Sequence, residues 1–337
     1  MVSASGTSPG SASIGKRRIL GVALLAFAIL LMLAVVRSAD ASTVAYIKGN
    51  EVWVSTLDGK KKKRISAGQG DWRQVVASDN GRILGIRLRA GKISQLSKMQ
   101  LWNQRGKVIS QGPLPYTNRP WSSYAAPVGL DLSSDGVFAA FGYSGYTGIV
   151  PNASFFRGHH VVNADNKVLN VELGLFGEWP TMFGRRAVVA EGSVVYIQRA
   201  AGAPFGRDYD PLLETAGSGL DLTRSDISAT GRLVSFDLQA PVAELDRIGL
   251  VSISGVNPPA TVGARVDCYL PTVGDASYST LSQDGTRIAW ADRQGVKVAG
   301  VPKTLGDPCR FSSKPVLIAR GATSPSIGGA SFRDLNR

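Results

Sequence analysis

The side chains able to do chemistry in this 337-residue chain are few and scattered. Its two histidines, His159 and His160, are adjacent. On a strand, neighbours face opposite sides, so the two cannot ligate one metal ion. Its two cysteines, Cys268 and Cys309, lie 41 residues apart with no histidine nearby. Either they form one disulfide, worth about 3–4 kcal/mol in the chain-entropy account, or they are two buried thiols. Arg207, Asp208, Asp210 and Glu214 place alternating charges in one stretch. A Ca²⁺ loop needs more oxygen ligands at tighter spacing, so a solvated loop is expected there. No glycine-rich turn leads into a helix, so no nucleotide cradle is suggested. The expectation is no catalytic residue, no metal and no cofactor. What remains is aromatic. Segment 110–128 carries Tyr116, Trp121 and Tyr124, and segment 142–159 carries Tyr143, Tyr146, Phe155, Phe156 and His159. Rings with polar handles suit contact with a ligand or partner. The same rings would equally form a small satellite core if the two segments fold over each other.

The elements that must position these residues follow from a repeat. Ala77-Ser78-Asp79-Asn80-Gly81 runs into Arg82-Ile83-Leu84-Gly85-Ile86, and Ser133-Ser134-Asp135-Gly136 into Val137-Phe138-Ala139-Ala140-Phe141. Ser228-Ala229-Thr230-Gly231 and Ser282-Gln283-Asp284-Gly285 lead into similar apolar runs. A degenerate copy sits at Phe183-Gly184-Arg185-Arg186. The turn glycines are spaced 55, 48, 47 and 54 residues apart. Asp and Asn bond their neighbours in a turn, and Gly supplies positive φ. Further β-rich runs follow, such as Val194-Val195-Tyr196-Ile197 and Gly295-Val296-Lys297-Val298. Four strands in about 50 residues make one propeller blade. Thr43–Ile47 and Glu51–Thr56 read as second and third strands lacking a first, while Pro325–Gly329 reads as a first strand lacking a blade. The two ends are therefore expected to share one blade and close a ring of six.

The pattern S-x-D-G, an I-A-W strand and a later D-G-K turn resembles the TolB-type propeller repeat over about residues 43–331. The resemblance implies an all-β, six-bladed β-propeller. A β-sandwich with long loops is the alternative, but it leaves the period unexplained. In such a blade, the turns joining strands one to two and three to four share a face. The segments 110–128 and 142–159 would lie on the other face, as would Gln239–Arg247. Long loops in a compact domain are often functional.

Residues 1–15 read as a disordered cytoplasmic tail, and 16–41 as a transmembrane anchor or a signal peptide. Lys16-Arg17-Arg18 precedes an unbroken apolar run, Ile19–Val36. Eighteen residues span about 27 Å as a helix, close to the hydrocarbon thickness. The positive flank puts the N-terminus in the cytoplasm and the propeller, 42–331, outside, with 332–337 as a tail. Ala39-Asp40-Ala41 is a small-x-small site, so cleavage after Ala41 would give a secreted form. The formal charge is +13, of which the first 41 residues contribute +3, leaving +10 on the rest. Export argues against nucleic acid as the partner of that charge. The reading is a monomeric, extracytoplasmic, non-catalytic binding or scaffolding propeller at the cell envelope. Its partner would be an envelope protein or cell-wall polymer, with the membrane met through residues 19–36. The alternative is a propeller hydrolase or lyase acting on an envelope polymer.

Overall fold

A computed structural model describes residues 43–329, apart from 67, 69, 88–97, 114–125, 148–153, 166–170, 175–176, 178, 215–220, 240–245, 257–265, 273 and 307. The N-terminal and C-terminal segments beyond these limits, with the apolar run Ile19–Val36 and the Ala39-Asp40-Ala41 site, lie outside the described residues. Among the described residues, no helix is long and apolar enough to cross a membrane.

Six four-stranded antiparallel sheets make up the propeller. Blade 1 joins β24 (Thr323–Gly328) to β1 (Thr43–Lys48), β2 (Glu51–Thr56) and β3 (Lys62–Arg64). Blade 2 holds β4 (Trp72–Ala77), β5 (Ile83–Arg87), β6 (Lys98–Trp102) and β7 (Val108–Pro113). Blade 3 holds β8 (Ala126–Leu132), β9 (Phe138–Thr147), β10 (Ser154–Asn163) and β11 (Val171–Gly174). Blade 4 holds β12 (Thr181–Phe183), β13 (Arg186–Glu191), β14 (Val194–Gln198) and β15 (Tyr209–Glu214). Blade 5 holds β16 (Asp221–Ile227), β17 (Leu233–Gln239), β18 (Arg247–Ser252) and β19 (Cys268–Tyr269). Blade 6 holds β20 (Ser277–Leu281), β21 (Arg287–Asp292), β22 (Gly295–Gly300) and β23 (Ser313–Arg320). The innermost strands, β24, β4, β8, β12, β16 and β20, neighbour one another in a closed cycle. The two chain ends do complete one blade: Thr43 pairs with Gly328 and Val44 with Ile327.

Period-two alternation explains the packing. Val44 and Tyr46 of β1 pack on Ala289, Ala291, Val296 and Val298 of blade 6. Ala45 and Ile47, on the other side of the same strand, pack on Trp72, Val75 and Ile83 of blade 2. Each blade is thus buried on both faces, and its inner strands read as apolar runs. The outer edge is managed differently. Lys62 and Arg64 of β3 are exposed, so the basic run of residues 60–64 ends in an edge strand whose charges resist pairing with another chain.

The repeated turn has one hydrogen-bond plan. Ser78, Ser133 and Ser282 are buried and donate to Asn80, Asp135 and Asp284 at 2.6, 2.6 and 2.5 Å. The same acceptor oxygens take the N–H of Arg82, Val137 and Thr286 at 3.1, 3.0 and 2.9 Å. Gly81, Gly136 and Gly285 close the turns at φ of 84°, 64° and 68°, where a Cβ would be strained. Blade 4 differs because Phe183 pairs with Arg186, leaving a two-residue hairpin with Gly184 at φ 59°. Such a loop has no room for the Ser-Asp box, which accounts for its degenerate sequence.

Candidate functional site

The residues singled out from sequence divide three ways. Tyr116, Trp121 and Tyr124 lie outside the described residues, as does most of segment 110–128. Tyr146, Phe155 and Phe156 fall in β9 and β10, whose side chains there are not described. Segment 142–159 is mainly a long strand pair rather than a loop, with register running from Phe138↔Asn163 to Thr147↔Ser154. Tyr143 and His159 are buried, which takes them out of any surface contact. His159 Nε2 lies 2.7 Å from the Tyr209 hydroxyl across the blade 3–4 junction. His160 points to the opposite side of the strand and stacks on Phe141 at 5.2 Å. Cys268 and Cys309 are bonded, with Cα atoms 5.3 Å apart, tying blade 5 to blade 6. Asp210 forms an ion pair with Arg199 at 2.8 Å. Among the described residues, no three His, Cys, Asp or Glu side chains converge as a metal site requires.

The central channel opens on the turn face into a cavity of about 270 Å³ that includes Asp79, Asp131 and Asp226. Two of these acids have a structural task. An innermost strand has no partner on its channel side, so its N–H groups need acceptors. Asp131 accepts from Met182 N–H at 2.7 Å, and Asp226 from Leu281 N–H at 2.7 Å, each reaching to the next blade. Ser326 does the same for Ala77 N–H at 2.9 Å. Burial raises the Asp131 pKa to about 7, helped by the Asp226 charge. Burial, then Asp226, raises Asp79 to about 6. Sequence reading missed Asp131 and Asp226. Both stand five residues before a turn glycine, Gly136 and Gly231, so aligning the copies on that glycine would have exposed them.

The opposite face carries a different site. Two adjoining cavities of about 200 and 280 Å³ share Trp179, Thr223 and Gln239. One adds Arg224, Asp237, Asp246 and Tyr278; the other adds Arg157 and Glu191. The ends of β13, β16, β17 and β20 supply most of the walls. Trp179 stands half-buried before β12, with Tyr278 edge-on at 5.8 Å. Tyr278 is held at φ 58°, an unusual conformation for a bulky residue. Asp237 pins it there, accepting N–H bonds from Tyr278 at 2.6 Å and Ser279 at 3.1 Å. Burial raises the Asp237 pKa, opposed by those bonds and by Arg224.

Arg224 is the anomaly. It is 7% exposed, and its Nε has no hydrogen-bond partner. Among the described residues it makes no ion pair. Its charge is felt by Asp131, Asp226 and Asp237, yet each of those spends oxygen atoms on backbone N–H groups. A buried guanidinium with an unsatisfied nitrogen is costly, and a cavity wall is where a ligand would meet such a cation. Neither Arg224 nor Trp179 belongs to the repeat, and nothing in one sequence marks them.

Comparison with solved structures matches this architecture. TolB from Acinetobacter baumannii superposes with a TM-score of 0.56 at 14% identity, over 90% of this chain and 71% of that one. The chain has the TolB propeller fold. An oligogalacturonate lyase from Vibrio parahaemolyticus gives 0.45 at 7% identity over 77% of each chain. Hsv2 from Kluyveromyces lactis gives 0.45 at 10%, over 83% of this chain and 97% of that one. No family model and no curated protein matches the sequence. At such identities the TolB likeness speaks to fold alone, so the site must be argued from this chain's own residues.

Proposed function

We propose that this TolB-like propeller is a non-catalytic binding or scaffolding module outside the cytoplasmic membrane, and that it engages its partner through the Trp179–Arg224 groove. The observation that carries the reading is Arg224, a buried cation whose Nε has no hydrogen-bond partner, in the wall of an open groove. The groove opens on the face to which the long insertions were assigned. A platform ring, an amide and a hydroxyl converge there, as small-ligand and partner sites require. The acidic turn-face cavity is the weaker candidate, because Asp131 and Asp226 bind the blades to each other.

Catalysis is not the better account of the groove. Glu191 is held by Arg157 and by Gly177 N–H, the latter at 2.7 Å. Asp237 is occupied by two N–H groups and Asp246 also has a partner. Among the described residues, no free acid and base face each other there. The partner would be an envelope protein or a cell-wall polymer. Residues 19–36 would hold the propeller at the membrane, or direct its secretion if the chain is cut after Ala41. Affinity capture from envelope extract tests this. Full-length chain is expected to retain a partner that Trp179→Ala loses by at least tenfold. Equal capture by both forms, with the variant folded, would refute the groove.

A further inference from the structure

The groove's chemistry narrows the ligand class. Its two cavities, about 200 and 280 Å³, together fall in the range of small-ligand sites. Trp179 borders both, so a ligand crossing the groove passes over one indole. Thr223 and Gln239 also border both, offering a hydroxyl and an amide. These neutral groups recognise hydroxyls rather than a chain of charges. The carboxylates Asp246 and Glu191 border the two halves, Glu191 paired with Arg157, and Asp237 accepts the Tyr278 N–H. Carboxylates so placed disfavour a ligand that is anionic throughout. Against this lining stands one buried guanidinium, Arg224, with Nε unsatisfied. Its planar fork matches a single carboxylate. A polyhydroxylated ring with an apolar C–H face and one carboxylate meets all of these conditions. An acidic peptide would bring several charges past Asp246 and Glu191 and offer few hydroxyls.

We infer that the groove spanned by Trp179 and Arg224 binds a carboxylate-bearing saccharide, with Arg224 clamping the carboxylate and Trp179 stacking on the ring. The inference deepens the binding function proposed above and rests on it. Two independent features converge: the shared platform of the paired cavities and the orphaned cation at one end. The strained Tyr278 belongs to the same wall, fixed by Asp237 where its ring meets Trp179 edge-on.

The test is calorimetric titration of the full-length protein with glucuronosyl-xylobiose, which carries one carboxylate, xylotriose and triglutamate. The expected result is glucuronosyl-xylobiose binding at least tenfold tighter than xylotriose, and triglutamate no better than xylotriose. Arg224→Gln should remove the preference for the charged trimer, and Arg224→Lys should restore only part of it. Trp179→Ala should weaken both sugars, with an unchanged circular-dichroism melt. Equal binding of the two sugars would overturn the Arg224 clamp, and this comparison holds in the wild type even if Arg224→Gln fails to fold. Triglutamate binding as tight as glucuronosyl-xylobiose would overturn the saccharide. If no sugar binds but Trp179→Ala still abolishes envelope capture, the inference falls and the groove's role as a partner site stands.

Discussion

At the residue scale, the repeat is legible because its chemistry is local. Ser, Asp or Asn, and Gly at fixed offsets satisfy one another within a single turn, so one sequence displays them. Gly285→Ala, at φ 68°, should cost about 1 kcal/mol or more, and Ser282→Ala a similar amount, each read from denaturant midpoints. The channel acids were not legible, because their partners sit in the next blade. Asp131 gives them a measurable signature. Its pKa is raised to about 7, so the folded state holds a proton that the unfolded chain releases near pH 4. Stability attributable to this group is therefore present at low pH and lost as pH rises from about 4 to 7. Asp131→Asn keeps an acceptor for Met182 N–H and removes the charge. The variant should gain about 1–2 kcal/mol at pH 8, a figure reduced because channel water reaches the carboxylate, and nothing at pH 4. Thermal melts at the two pH values would show it; an equal shift at both would refute the assignment. Arg224 and Trp179 were illegible for a further reason: a lone cation becomes informative only once its surroundings show no partner.

At the scale of elements, the sequence revealed the shared blade. Two strands without a first, and a first without the rest, could be matched by pattern alone. The structure pairs β24 with β1 in that arrangement. It adds that Ser324 and Ser326 of β24 accept from Val75 and Ala77 N–H of blade 2, at 3.4 and 2.9 Å. Deleting residues 323–337 should therefore open the inner edge of β1 and loosen the blade 1–2 junction together. The expected outcome is loss of a cooperative thermal transition; an unchanged melt would show that the closing strand is dispensable. The strand pair β9–β10 shows the limit of pattern reading. Its aromatic segment looks like a loop because Gly and Ser interrupt the apolar run, yet cross-strand pairing carries β9 to Thr147 and β10 from Ser154.

At the scale of the whole molecule, closure and stapling share the work of holding six blades. The Cys268–Cys309 bond joins the outer part of blade 5 to the loop before the last strand of blade 6. Replacing both cysteines with serine should lower unfolding free energy by about 2–4 kcal/mol, measured by guanidinium titration, without altering the sheets. The fold was readable because it is one unit repeated. The site was not, because it draws residues from blades 3, 4, 5 and 6 at positions the repeat leaves free. The central claim is that those positions make the binding surface, and site-specific photo-cross-linking in intact cells tests it most directly. A photoreactive residue at Gln239 in the groove should give a discrete adduct that Trp179→Ala abolishes, while one at Lys314 on the outer strand β23 should give none. No adduct from position 239, or the same adduct from position 314, would contradict the account.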